Sequence, residues 1–253
     1  MRTPVFALTT AFLVFSFAAP LAAAADEVPD HVTQAMQDSA RGDDSQDDER
    51  RQMAATLAFT GVKPGDTVVD MVPGSGYWTR VFSHIVGDNG QVYTVWPKEM
   101  LREYGVKGLA GWAENSVAPH YDNVTDIVQP GGTLALPGPA DVVFTALNYH
   151  DYHVKEINID LTSFNKSVFD QLKPGGVYVI VDHAAEEGSG LDATNSLHRI
   201  DPAVVKAEVE AAGFTFDGES SVLRNNDDPR TIKVFDDAIR GHTDQFIYRF
   251  RKP

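Results

Sequence analysis

The sequence contains no cysteine among its 253 residues. This absence excludes disulfide bonds, thiolate metal sites and a cysteine nucleophile, and it removes cysteine pairing as a sign of an oxidising compartment. Basic residues are scarce as well, since 21 Lys and Arg stand against 36 Asp and Glu and the formal net charge is -15 at pH 7. Such a surface repels phosphate backbones and anionic lipid. We therefore expect neither nucleic acid nor a membrane surface as a partner of the mature protein.

Long apolar runs are absent after the first 25 residues, which carry the one such stretch. Arg2 precedes an apolar stretch at 4–21, and small residues at 22–25 precede Asp26. A basic start, a short apolar run and a small-residue cleavage site are typical of a secretory signal peptide. A membrane-spanning helix needs about 20 predominantly apolar residues, and Thr, Ser and Pro interrupt this stretch. We therefore predict that residues 1–25 are a cleaved signal peptide and that the mature protein is periplasmic or secreted.

The remaining chain divides into an acidic arm at 26–47 and one domain at 48–253. The arm lacks a sustained apolar period, so we expect a loose segment with room for one short helix. In the domain, short apolar segments alternate with amphipathic ones. Strands are predicted at 67–71, 91–96, 123–128, 141–147, 177–182, 220–224 and 245–250, and helices at 77–86, 161–172 and 202–212. This alternation predicts a mostly parallel sheet covered on both faces, with an antiparallel pair at the end of the chain.

A glycine-rich turn follows the first predicted strand. The strand ends at Asp70 and Met71, the turn Val-Pro-Gly-Ser-Gly occupies 72–76, and the next helix begins at Tyr77. Glycines permit unusual backbone angles and a close approach by a ligand, and the amides of a helix N-terminus suit a carboxylate. The turn lacks the third glycine of a dinucleotide fingerprint and the lysine of a phosphate-binding loop. The G-x-S-x-G elbow of a serine hydrolase is absent too, so we expect Ser75 to cap the helix.

Four segments carry a resemblance to class I S-adenosylmethionine-dependent methyltransferases: KPGDTVVDMVPGSGYWT (63–79), GQVYTVWP (90–97), ADVVFTALNYHD (140–151) and LKPGGVYVIVDH (172–183). The closing segments at 198–214, 223–225 and 243–253 resemble a bacterial family of predicted exported methyltransferases. The resemblance implies a doubly wound, Rossmann-like α/β fold with a mostly parallel seven-stranded sheet and an antiparallel last strand. It implies S-adenosyl-L-methionine as the cofactor and a small molecule as the methyl acceptor. The cofactor-binding residues that it implies are Asp70, Pro73, Gly74, Ser75, Gly76, Tyr77, Trp96 and Asn148.

Three positions depart from the pattern of the superfamily. Val72 stands where a glycine is usual and narrows the space above the turn. Trp96 replaces the acid that ends the second strand and holds the ribose, with Glu99 nearby as a substitute, and residues 129–132 replace an acid near the adenine. Each loss removes a hydrogen bond worth about 0.5–1.5 kcal/mol. The aromatic side chains could stack on the adenine or face the sulfonium, or pack in the core; these are Tyr77, Trp78 and Trp96.

Polar side chains follow the fourth and fifth predicted strands. His150, Asp151 and His153 come after the fourth strand, and Asp182 and His183 end the fifth. In a doubly wound sheet these ends open on the same edge as the glycine-rich turn. A histidine there can take a proton from an acceptor hydroxyl or amine. We predict His150 as the catalytic base, with Asp151 or Asp182 orienting it, so that the predicted catalytic residues are His150, Asp151 and Asp182.

Two other functions compete with methyl transfer. A non-catalytic exported binding protein on the same scaffold is favoured by Val72 and Trp96. A metal-dependent enzyme is the second alternative, because imidazole and carboxylate groups suit a divalent ion. No HExxH spacing supports a metal, and no metal is predicted. The potential ligands are His150, Asp151, His153, Asp182, His183 and His198. Each of these histidines can equally be a hydrogen-bonded structural residue, and the sequence does not indicate the oligomeric state.

Overall fold

The computed structural model describes residues 27–116, 120–157 and 159–253. The predicted signal peptide lies outside these residues. The strands are β1 Thr67–Met71, β2 Gln91–Pro97, β3 Val124–Gln129, β4 Ala140–Ala146, β5 Leu172–His183, β6 Thr215–Ser220 and β7 Gln245–Arg251. The helices are α1 Asp30–Met36, α2 Met53–Thr60, α3 Tyr77–Val86, α4 Glu103–Asn115, α5 Leu161–Gln171, α6 Thr194–Leu197 and α7 Pro202–Ala211. In this part of the chain, we find no helix with the length and apolar content needed to cross a membrane.

One seven-stranded sheet organises the domain, in the order β3-β2-β1-β4-β5-β7-β6. The first five strands pair in parallel, while β7 lies antiparallel between β5 and β6. The fold class predicted from the sequence, a mostly parallel Rossmann-like sheet with an antiparallel last strand, is therefore confirmed. The strand order reverses between β1 and β4. Ligands of open α/β sheets bind outside the carboxyl ends of the strands at such a point.

The alternating direction of side chains along each strand explains why both faces are covered. Val68 and Val69 are adjacent and fully buried, yet they belong to different hydrophobic clusters on opposite faces of the sheet. Consecutive strand residues point to opposite faces, so a strand covered twice must be apolar throughout. Helices α1, α2 and α3 contribute to the cluster that contains Val68, and α5 and α7 to the one that contains Val69.

The last strands differ from the sequence prediction in their bounds. The expected strand at 220–224 is wrong, because β6 ends at Ser220 and a turn bonds the Arg224 amide to the Ser221 carbonyl at 3.0 Å. The strand begins instead at Thr215, where Phe216 packs against the core and pairs with Phe250 of β7. A register shift follows Phe216, and this shift obscures the alternation of the strand in the sequence.

The acidic arm contains the one short helix that the sequence predicts, but the arm is not loose. Residues 30–36 form α1, whose Val32 and Ala35 are fully buried against the cluster that includes α3. Residues 39–47 form a 3-10 segment, from which Asp44 accepts a hydrogen bond from Arg80 Nε of α3 at 2.7 Å. Buried apolar residues such as Val32 and charged residues such as Asp44 hold the arm in place. These interactions are too few and too widely spaced to produce an apolar period in the sequence.

Candidate functional site

The carboxyl ends of β1 and β4 are tied together by Asn148. Its amide nitrogen donates to the Met71 carbonyl at 3.3 Å and to the Ala146 carbonyl at 3.0 Å, and its amide oxygen accepts from the Thr145 hydroxyl. The preceding Leu147 has a left-handed φ of 61°. The predicted cofactor contact of Asn148 would therefore involve a side chain already bonded to both strands. Its position between them places the turn after β1 next to the turn after β4.

The glycine-rich turn has the backbone that the sequence predicts. Gly74 and Gly76 have left-handed φ angles of 63° and 88°, and the Gly76 amide closes the turn on the Pro73 carbonyl at 3.1 Å. A Cβ placed on Gly74 would meet no heavy atom of the described residues within 4 Å. Val72 also has a left-handed φ, of 52°, and packs against the core. The space at Gly74 is therefore open to a ligand.

The start of α3 carries no side-chain cap in the described structure. Gly76 occupies the N-cap position, so the prediction that Ser75 caps the helix is wrong. The first amides of a helix have no partner within the helix and form its positive end. In α3 this end faces the turn itself, where it favours a carboxylate or another anion.

Asp70, near the end of β1, connects this strand to helix α3 next to the turn. Its side chain is fully buried and accepts a hydrogen bond from the Thr79 hydroxyl of α3 at 2.6 Å. Burial raises the pKa of Asp70 to about 7, an effect that the hydrogen bonds from Thr79 partly offset. The carboxylate thus joins β1 to the first turn of α3, and the direct contact with a cofactor implied by the resemblance would require it to leave this position.

The three aromatic side chains near the turn have different surroundings. Trp78 packs edge-on against Phe144, with ring centroids 5.1 Å apart, and belongs to the core. Tyr77 donates its hydroxyl hydrogen to Asp48 at 2.8 Å, and the guanidinium of Arg51 lies 4.3 Å from its ring centroid. Trp96 is fully buried, but its indole Nε1 has no hydrogen-bond partner in the described structure.

Helix α4 covers one side of the turn through its glycines. A Cβ on Gly108 would lie 3.1 Å from the Cα and the carbonyl carbon of Gly74, and 3.1 Å from the Trp96 ring. A Cβ on Gly76 would lie 2.2 Å from the Trp112 ring of helix α4. These positions accept glycine alone without rearrangement. Helix α4 is therefore packed on the turn. Glu99, named as a substitute ribose ligand, accepts a hydrogen bond from the Gly131 amide at 2.8 Å instead.

The arm contributes residues to the site that sequence reasoning missed. Arg80 bonds the Ser75 carbonyl of the turn at 2.9 Å while its Nε donates to Asp44. Asp48 accepts hydrogen bonds from Arg41 as well as from Tyr77. The charged run DDERR at 47–51, at the boundary between the arm and the domain, is the sequence feature that could have indicated these contacts.

A cluster of histidines and carboxylates lies after β4 and β5, on the same edge of the sheet. Asp182 is fully buried and accepts from the His150 amide at 2.7 Å, from His150 Nδ1 at 2.8 Å and from the His183 amide at 2.7 Å. On the other side of the ring, His150 Nε2 lies 3.2 Å from Asp151 Oδ1, and His198 Nδ1 lies 3.4 Å from the same oxygen. The structure thus brings together the three predicted catalytic residues and adds His198.

The charges within this cluster are strongly coupled. Burial alone would lower the pKa of His150, but the charges and hydrogen bonds of Asp182 and Asp151 outweigh it and raise that pKa to about 10. Burial would raise the pKa of Asp151, but hydrogen bonds from His150 and His198 hold it well below its usual range. Burial lowers the pKa of His183 to about 4. These shifts favour the protonated form of His150 and the neutral form of His183.

His153 lies outside the cluster, although the sequence placed it nearby. Its Nε2 is 3.2 Å from Glu208 of α7. The neighbouring Tyr149 donates its hydroxyl hydrogen to the same carboxylate at 3.0 Å and accepts from Asn165 at 2.8 Å. This second polar group ties the turn after β4 to α5 and α7, which is a structural role.

Known proteins resemble this chain in sequence and in fold. Residues 28–122 match the family model of protein-L-isoaspartate (D-aspartate) O-methyltransferase. A protein-L-isoaspartate O-methyltransferase of Methanosarcina mazei is 31% identical over 118 residues, which are 46% of this chain and 40% of that protein. The ubiquinone/menaquinone biosynthesis C-methyltransferase UbiE of Teredinibacter turnerae is 25% identical over 191 residues, 70% of this chain and 68% of that protein. The chain thus spans about two fifths of the first relative.

The fold is also that of a solved methyltransferase. The crystal structure of a SAM-dependent methyltransferase from Aquifex aeolicus superposes with a TM-score of 0.56 at 19% identity, over 88% of this chain and 97% of that one. At this identity the likeness concerns the fold.

Proposed function

We propose that the chain is a class I S-adenosylmethionine-dependent methyltransferase, and that it transfers a methyl group from S-adenosylmethionine to a small-molecule acceptor. The family match, the related methyltransferases and the shared fold support this proposal. The observation that carries this proposal is the turn between β1 and α3. Two left-handed glycines, an open space at Gly74 and an uncapped helix start occur together at the switch point of the sheet.

The residues around the turn fit S-adenosylmethionine. The open backbone at Gly74 and the free amides of α3 would hold its carboxylate. The buried Nε1 of Trp96 is a donor without a partner in the described structure. An indole N–H can donate a hydrogen bond to a ribose hydroxyl. The acid that usually stands at this position would instead accept a hydrogen bond from that hydroxyl. When bound, the cofactor supplies a methyl group on a positively charged sulfur.

Two observations support a small-molecule acceptor. The family match to a protein-modifying methyltransferase ends at residue 122, before β4 and β5. The longer match, to an enzyme named for quinone biosynthesis, continues into the half of the chain that contains those strands. We propose that the acceptor lies at the edge formed by β4 and β5, beside the turn. The formal charge of -15 supports the exclusion of nucleic acid as the acceptor.

The assignment of His150 as the base remains a prediction. An imidazolium that is hydrogen-bonded to carboxylates has no lone pair with which to accept a proton. His150 would act as a base only after losing its own proton. In the described structure its ring instead pairs with Asp151 and Asp182, and methyl transfer itself needs mainly the alignment of nucleophile, methyl carbon and sulfur.

We further propose that the protein is exported, on the strength of the residue pattern at 1–25. Expression of the full chain in a Gram-negative host, followed by fractionation and mass measurement, tests this. We expect a periplasmic product that begins at Ala25 or Asp26. A full-length protein retained in the cytoplasm would contradict export and leave the enzymatic proposal unaffected.

Calorimetric titration of the protein with S-adenosylmethionine and its demethylated product tests the cofactor. We expect both to bind at a single site, because the product keeps the adenosine and the carboxylate of the cofactor and lacks only the methyl group and the positive charge of the sulfur. Absence of binding at high micromolar concentrations of either ligand would refute the proposed function. Incubation of the protein and labelled cofactor with fractionated small-molecule extracts would then identify the acceptor.

A further inference from the structure

We propose that His150, Asp151 and His198 form a binding site for a first-row divalent transition-metal ion such as Zn²⁺. One donor atom from each residue lies within 4.8 Å of the other two. The site is partly open, because the side chains of Asp151 and His198 are 32% and 27% exposed while His150 is buried. Three protein ligands and one accessible position are typical of catalytic rather than structural zinc sites.

The distances within the cluster are compatible with a shared ion as well as with hydrogen bonds. A charged N–H···O bond is about 2.7–2.9 Å long, and the pair of His150 Nδ1 and Asp182 fits this length at 2.8 Å. The contacts of Asp151 with His150 and His198 are longer, at 3.2 and 3.4 Å. Ligands that are each about 2.0–2.2 Å from a tetrahedral ion lie about 3.3–3.6 Å apart. The contact of Asp151 with His198, at 3.4 Å, lies within this range, and the contact with His150, at 3.2 Å, lies just below it.

Asp182 orients His150 in the way that metal sites require. A histidine ligand usually donates its other ring N–H to a carboxylate, which fixes the tautomer and the orientation of the ring. Asp182 accepts from Nδ1 and from the backbone amide of His150. Nε2 is thereby directed towards Asp151. The two carboxylates also balance the charge of a divalent ion.

His198 is held by a rigid support. Its backbone is left-handed, with φ 55°, which is strained for a residue other than glycine. The next residue, Arg199, is fully buried and bonds Asp228, the Ala184 carbonyl and the Ile232 carbonyl. This network fixes the segment after β5 and explains how a strained residue is maintained beside Asp151.

The ligand set selects the class of ion and points to a role. Two imidazoles and one carboxylate suit zinc and its first-row neighbours, whereas Mg²⁺ prefers oxygen ligands. The cluster lies beside the glycine-rich turn, because Asn148, two residues before His150, is bonded to the last residue of β1. If the proposed methyl transfer is correct, on which this role rests, the open position would hold an oxygen of the acceptor.

Metal binding is tested on the full chain purified without a histidine tag, treated with EDTA and titrated with ZnCl₂ or MgCl₂ by calorimetry. We expect one Zn²⁺ per chain and no binding of Mg²⁺. His198→Ala and Asp151→Asn should each weaken zinc binding at least tenfold, and Asp182→Asn by about 10–100-fold, as for other residues that support a metal ligand. Circular dichroism verifies that each variant is folded.

Two matched controls exclude a general effect of histidine removal. His153→Ala removes an imidazole from the same turn that bonds Glu208 instead. His120→Ala removes an exposed imidazole that pairs with Asp38 near the opposite edge of the sheet. Both variants should bind zinc as the wild type does. No zinc binding by the wild type, or unchanged binding by folded His198→Ala and Asp151→Asn, would overturn the proposed site.

Cofactor binding by the EDTA-treated protein separates this proposal from the proposed function. S-adenosylmethionine should bind with the same affinity in the absence of metal, since the glycine-rich turn contains none of the three ligands. Zinc binding without cofactor binding would support the site and refute methyl transfer. Cofactor binding without zinc binding would refute the site alone.

Discussion

The glycine-rich turn and the histidine cluster lie at the same edge of the sheet but are built from different materials. The turn presents backbone groups, and its requirements are left-handed φ angles and an uncovered helix start. The cluster presents charged side chains, each held by another charge or by a buried hydrogen bond. A backbone site can therefore be disrupted by adding atoms, whereas the cluster is disrupted by removing them.

Removal of Asp182 should give the largest effect on stability. Asp182→Ala leaves His150 Nδ1 and two amides unpaired in the core. Breaking a buried charge pair costs about 3–5 kcal/mol of unfolding free energy. Urea denaturation measures this cost, and Asp170→Ala is the control, because it breaks an exposed pair with Lys166 and should cost less than about 0.5 kcal/mol. Equal costs for the two variants would show that the buried pairing contributes nothing.

Addition of atoms to the turn should affect binding more than stability. Gly74→Val places a branched side chain in the open space at a left-handed position, where the backbone strain is about 1–2 kcal/mol. We expect calorimetry to show no measurable cofactor binding. Gly175→Val is the matched control, because Gly175 has a φ of 79° with no atom near its Cβ and lies at the other end of β5. It should lose similar stability and retain binding, and a parallel loss of binding would contradict the assignment of the turn.

The smallest expected effect is the pH dependence of the unfolding free energy that arises from Asp70. Its pKa of about 7 exceeds the usual value of 3.8, so between these pH values the folded state holds a proton that the unfolded state has lost. Stability from this group is complete below about pH 4 and is lost as the pH rises to about 7. The unfolding free energy of the wild type should therefore fall relative to that of Asp70→Asn as the pH rises across this range.

Unfolding curves of the two proteins at intervals between pH 4 and pH 8 measure the difference. Asp88→Asn serves as the control, because Asp88 is exposed after the other end of α3 and its carboxylate is in water in both states. A constant difference between Asp70→Asn and the wild type over the whole range would mean that Asp70 is ionised in the folded protein. An ionised Asp70 would need a positively charged partner in addition to the hydroxyl of Thr79.

The elements that the sequence predicted well are those with a local signal. The strands at 67–71 and 245–250 and the helices at 77–86 and 202–212 depend on continuous apolar runs, glycine stops and the Asp201-Pro202 start, and the structure confirms them within one residue at each end. Where the signal was not local, the prediction was wrong or incomplete. The arm is held by contacts with distant residues, such as the pairing of Asp44 with Arg80, and β6 is interrupted by a register shift.

The site divides along the same line. Asp70, Gly74 and Gly76 could be identified from the sequence because a strand, a turn and a helix follow one another within about ten residues. The grouping of His150 with Asp182 was inferred from the expected sheet edge. The place of His198 beside Asp151, and that of His153 beside Glu208 instead, depend on the path of the chain after β5 and on the docking of α7.

The sequence by itself determined the sheet and the glycine-rich turn, because apolar alternation and left-handed glycines act through the backbone of neighbouring residues. Only the tertiary structure decided which side chains meet at the sheet edge. Asp182 and His150 are 32 residues apart, and His198 is 47 residues beyond Asp151. Their distances are set by the packing of β4, β5 and the segment around Arg199. The charge states of His150 and Asp151 follow from that packing, because burial and neighbouring charges exist only once the chain has folded.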